Sequence, residues 1–175
     1  MVEERRSWWR PRGAAVIPRT SNASHSGYNS GCRWFPKRGR RCVIASARCE
    51  ILSTFVLAPK RDRLITLLGT KKGRAKVQKA LAHFRDLDPR YARRLGPDHH
   101  TVASIVALLK QRGAPARCYV LSEDSELDGR ELPLEEGLTN VRGKGMGAFI
   151  SCIPGRLGYF EAEDEGERYI LERRS

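Results

Sequence analysis

Lys72, Lys76 and Lys79 recur at the spacing that stacks side chains on one stripe of a helix turning about 100° per residue. Three ammonium groups in a row suit the phosphates of RNA or DNA, where each neutralising contact releases a condensed counterion. Lys71 and Arg74 flank the stripe, and Arg90, Arg93 and Arg94 extend the positive run beyond the Asp88-Pro89 turn signal. The turn Gly69-Thr70-Lys71-Lys72-Gly73-Arg74 would add backbone N–H groups at a helix start. It is not a P-loop, because Gly73 is followed by Arg74 and Ala75 instead of Lys and Ser or Thr. A solvated basic face gives the same pattern. No acid interrupts the chain between Asp62 and Asp86, however, although interspersed acids would relieve the repulsion.

Other residue types offer weaker chemistry. Cys152 is the candidate for a cysteine nucleophile, which needs a histidine base, and His83, His99 and His100 are the histidines within reach of its domain. Its strand neighbours Ala148 and Ile150 favour a buried, inert thiol. Asp124, Glu126, Asp128 and Glu135, with Gly129, have the spacing of a calcium-binding EF-hand loop. The charged Glu131 and the preceding strand pattern depart from that loop, so an acidic turn before a helix is expected and no metal or cofactor. Gly143, Gly145 and Gly147 alternate as in a dinucleotide loop but precede a strand, the wrong order for that fingerprint. The five cysteines contain no CxxC pair, which argues against a structural zinc site.

Periodicity supplies the elements that would position these residues. Helical stripes run over 61–68, from Val77 to Phe84, and from Val102 to Leu109. Strand patterns cover 117–123, 148–153, 156–162 and 168–173, with a short helix over 133–141. The expected fold is α+β, with N-terminal helices on a small, mainly antiparallel sheet in the order ααα-β-α-βββ. One compact domain is expected over 57–175. Residues 1–56, with all three tryptophans and scattered Arg, Ser and Gly, read as a disordered basic tail. An upstream-misplaced start and an organellar targeting segment are the alternatives for that tail. Arg5-Arg6-Ser7 is followed by too short an apolar run for a twin-arginine signal.

Charge sharpens the reading. The chain has 33 Lys and Arg against 20 Asp and Glu, for a net +13. Residues 60–96 carry twelve Lys and Arg against three acids, whereas 97–175 carry ten against fourteen. No run approaches the roughly 20 apolar residues of a membrane span, so no membrane partner is expected and a cytoplasmic location is. The expected function is a non-catalytic module binding nucleic acid phosphates, without base readout. A protein-interaction or self-associating module with an acidic surface from Asp124 to Glu136 is the alternative. A Cys152 enzyme is the third reading.

Overall fold

The computed structural model describes residues 41–164 and 166–174. The tryptophan pair, the twin arginine and the Arg-rich run after Cys32 lie outside the described residues. Among the described residues are five α-helices: α1 (Arg41–Phe55), α2 (Ala58–Leu68), α3 (Lys71–Ala80), α4 (Val102–Gln111) and α5 (Leu134–Val141). Six strands complete the domain: β1 (Ala92–Arg94), β2 (Arg117–Ser122), β3 (Glu131–Pro133), β4 (Ala148–Ile153), β5 (Leu157–Glu161) and β6 (Arg168–Glu172). They form one antiparallel sheet in the order β1-β6-β5-β4-β2-β3. The class is mixed α+β. No helix among the described residues is long and apolar enough to cross a membrane.

The sheet is buried on both faces, and strand alternation sorts its side chains between two helical layers. Tyr119, Leu121, Phe149, Phe160 and Leu171 pack against Ile51, Leu52 and Phe55 of α1, Val77 of α3, and the following Leu81 and Phe84. Val120, Ile150, Tyr159 and Ile170 point the other way, onto Ile105 and Leu109 of α4 and Leu134 and Leu138 of α5. Phe84 stands edge-on to Phe149 and Phe160, with ring centroids 5.6 and 5.9 Å away. Each such fully buried ring contributes about 2–3 kcal/mol through apolar burial.

The boundary expected at residue 57 moves upstream. Helix α1 belongs to the core, with Ile51, Leu52 and Phe55 essentially inaccessible. Its Arg, Cys and Ser residues hide the stripe in the sequence, and the charge of Arg48 is resolved by pairing. Buried Arg48 donates from Nε to the Tyr119 hydroxyl and from Nη2 to Asp128 Oδ2 at 2.5 Å. Two three-residue strands, β1 and β3, were also beyond the sequence pattern, and both lie at the sheet's edges.

A second buried charge ties the helical layer to the β1 edge. Asp88, 2% exposed, accepts from Arg61 Nη2 at 3.2 Å and from Arg90 Nη2 at 2.6 Å. Its own N–H donates to the Phe55 carbonyl at 2.8 Å, closing the end of α1. The Arg90 hydrogen bond holds the Asp88 carboxyl below the usual carboxylate range, with Arg61 adding a weaker pull. The layers also meet backbone to backbone. A Cβ on Gly147, just before β4, would lie 2.0 Å from the Leu81 carbonyl carbon and oxygen.

Two outcomes follow from these contacts. Gly147→Ala forces the Leu81–Ala82 backbone away from the sheet, and chemical denaturation should show a loss of about 3 kcal/mol. Asp88→Asn should cost about 2 kcal/mol at pH 7, where the charge-assisted bonds are intact. Because the folded carboxyl titrates lower than the unfolded one, Asp88 stabilises above its unfolded pKa and loses that contribution as pH falls through its folded pKa. Urea unfolding from pH 6 down to pH 2 should therefore show the gap between wild type and Asp88→Asn narrowing with acidity. A constant gap would remove Asp88 from the acid response.

Candidate nucleic-acid interface

Helix α3 is built to hold its cations outward. Gly73 and Val77 are its buried residues, and Leu81 continues that face into the core. Gly73 lies under the last turn of α2, where a Cβ would stand 2.0 Å from the Leu67 carbonyl oxygen. Lys72, Lys76 and Lys79 project from the opposite side and are all exposed, as are Lys71 and Arg74. Among the described residues no carboxylate oxygen lies within 4.0 Å of these five side chains' nitrogens.

The first turn of α3 carries a side-chain cap. Thr70 caps it, its Oγ1 accepting from the Gly73 N–H at 3.0 Å, while its carbonyl accepts the Arg74 N–H at 2.9 Å. Thr70 thus occupies the N–H groups of Gly73 and Arg74. Arg74 leaves the stripe toward β2, where burial pushes the Tyr119 hydroxyl up to about 12, opposed chiefly by Arg48 and least by Arg74.

The second basic group lies elsewhere. Arg90 is folded onto Asp88 and over the Tyr91 ring, 5.2 Å from its centroid. Arg94 donates from Nε to the Gly166 carbonyl at 3.1 Å. Arg93 is exposed on β1, the edge strand. Asp88 and Gly166 therefore already occupy two of these three arginines, whereas the α3 lysines have no ion pair among the described residues.

Several acids near the end of α3 and past β5 are neutralised locally. Arg85 bridges Asp164 at 2.5 Å and Glu167 at 2.9 Å, and Lys60 stands 3.9 Å from Asp86. His83 Nδ1 lies 3.1 Å from Glu163 and makes an ion pair when protonated. The acidic loop after β5 is thereby held against the segment following α3.

The four EF-hand candidates are not brought together, and no group of three or more metal-ligating side chains exists among the described residues. Asp124 Oδ1 accepts the Glu126 N–H at 2.8 Å, an Asx turn inside the β2–β3 hairpin. Asp128 turns inward to Arg48, and its other oxygen accepts the Ser122 N–H at 3.3 Å. Burial pushes its carboxyl upward, opposed by Arg48. Glu135 opens α5, where an acid complements the helix dipole. The Arg48–Tyr119–Asp128 cluster carried no sequence signal, since its members lie 71 and 80 positions from Arg48.

Cys152 is buried at the end of β4 beside Cys118, which also faces α5. Burial pushes the Cys152 thiol up to about 12, with neighbouring Cys118 adding to the effect, and burial raises Cys118 to about 11. The histidines sit toward the other end of the sheet. His83 meets Glu163 just past β5, and the His100 carbonyl accepts from Arg142 beside the Gly143–Glu161 hydrogen bond. No hydrogen bond joins a histidine to either thiol among the described residues.

No protein-family model, curated protein or solved structure matches the chain. In native protein, Cys118 and Cys152 should resist a thiol alkylator at pH 8 and react after urea unfolding, as read by peptide mass spectrometry. Rapid native labelling at Cys152 would reinstate it as a nucleophile.

Proposed function

We propose that this protein is a non-catalytic binding module that contacts nucleic acid phosphates through the Lys72/Lys76/Lys79 face of α3. The observation that supports this reading is a contrast in pairing. Arginines engage Asp88, Asp128, Asp164, Glu167 and Glu172, yet the α3 lysines, flanked by Lys71 and Arg74, have no carboxylate neighbour among the described residues. A stripe left uncompensated beside so many satisfied pairs favours an external polyanion.

The helix supplies rigidity and the lysine stems supply reach. Gly73 and Val77 fix α3 against α2 and the sheet, so the ammonium groups move only with their flexible stems. Such point charges suit the evenly spaced phosphates of a strand. Apart from the half-buried Gln78, no Asn, Gln or aromatic residue stands among the cations of α3, and base-specific readout is not part of the proposed function. Arg93 is the available cation on β1 for a longer contact path.

The test uses the full chain, because α1 is part of the core. RNA and DNA retention should weaken with salt, and Lys72/Lys76/Lys79→Ala should flatten the log–log salt slope by about 2–3, one counterion for each lost contact. Thermal stability of the variant should stay within about 0.5 kcal/mol of wild type, since the side chains are exposed and have no carboxylate partner among the described residues. An unchanged slope in a folded variant would discard the α3 interface.

A further inference from the structure

At the end of the sheet where β4 turns into β5 and β6 finishes, four arginines converge on a cavity of about 320 Å³. Arg112 comes from the end of α4, Arg156 from the β4–β5 turn, and Arg173 and Arg174 from the segment after β6. Glu172 is the one carboxylate in the lining. It accepts from Arg112 Nε at 3.2 Å and stands 3.5 Å from Arg174 Nε. A backbone bond from the Arg173 N–H to the Arg156 carbonyl, 2.8 Å, locks the turn against the terminal segment. The gathering is thus fixed by the fold, with Ile153 and Leu157 as its apolar floor.

We propose that this cavity is a binding site for a compact phosphorylated molecule, recognised through its phosphoryl groups. Four guanidiniums face one carboxylate, a surplus of three positive charges in one concavity. Arginine does not shed its proton at any physiological pH, so the repulsion is not relieved by deprotonation. An anion relieves it, and the planar donor forks of arginine match phosphoryl oxygens two at a time. Glu172 orients Arg112 and Arg174, while Arg112 Nη1 is held by the Leu108 carbonyl at 3.2 Å. Arg156 and Arg173 have exposed side chains and no carboxylate within 4.0 Å among the described residues. They are the pair left to clasp the ligand. The volume lies at the small end of ligand pockets, about 300–1,000 Å³, and fits a diphosphate or a mononucleotide better than a polymer. This site stands on residues separate from α3 and does not depend on the polynucleotide reading.

The experiment is calorimetric titration of the full chain with inorganic pyrophosphate, adenosine monophosphate and adenosine, at constant ionic strength. Pyrophosphate or the monophosphate should bind at one site and adenosine should not. Titration by pyrophosphate alone assigns a free phosphate source, and tighter titration by the monophosphate assigns a nucleotide. Arg156→Ala and Arg173→Ala should each weaken binding by about ten-fold, with the melting temperature of the unliganded protein unchanged. Lys72/Lys76/Lys79→Ala should leave the affinity within about two-fold, which separates this site from the α3 interface. Absence of heat with both phosphate probes overturns the proposal. Equal affinity in folded Arg156→Ala and Arg173→Ala, or loss of binding only in the lysine variant, does so as well.

Discussion

Burial of the sheet on both faces is the constraint from which the rest of this structure follows. Strands β2, β4 and β5 carry apolar side chains in both directions, so neither face tolerates water. Two helical layers are then obligatory, and the chain places α1 to α3 on one side and α4 with α5 on the other. Close contact of the first layer explains Gly147, where only hydrogen fits against the Leu81 carbonyl. It also explains why polar groups of the first layer arrive already paired. Arg48 enters with Tyr119 and Asp128, and Arg61 with Asp88, because an unpaired charge at such depth would cost several kcal/mol.

That constraint governs which elements were legible in the sequence. The α4 stripe of Val102, Ile105, Val106 and Leu109 is unambiguous, since one helical face meets the sheet and the other meets water. The apolar runs of β2, β4 and β5 were equally plain, being buried from both sides. Helix α1 was obscured by Arg48, whose burial depends on a tyrosine and an aspartate far along the chain. No local rule announces that partnership. Strands β1 and β3 are too short for alternation to register, and Ala92-Arg93-Arg94 has the composition of a loop. They are strands because β6 and β2 offer them open edges.

Site legibility divides along the same line. The lysine stripe of α3 lies within eight residues of one helix, and its periodicity alone places the cations on one face. The arginine cavity is assembled from the end of α4, a turn and the segment after β6, within a stretch whose summed charge is negative. Net charge averaged over sequence therefore hides a basic site that the topology concentrates. Conversely, Arg90 counts as positive in sequence but is locked by Asp88.

The two unneutralised groups differ in shape as well as residue type, and the difference bears on what each suits. Lysines on an outward helix face present separate, mobile charges along a line, an arrangement with no geometric preference for one bound molecule. Their attraction is long-ranged and falls with salt. The arginines instead surround a concavity, where Glu172 pairs with Arg112 and Arg174, the Leu108 carbonyl holds Arg112, and a backbone bond joins the positions of Arg173 and Arg156. Guanidinium forks around a small volume reward an anion whose oxygens meet several at once. A single polyanion would have to bridge opposite parts of the domain to use both, since α3 packs on the Phe149 face while Leu157 at the cavity floor belongs to the other. The geometry accordingly favours two ligands over one extended contact.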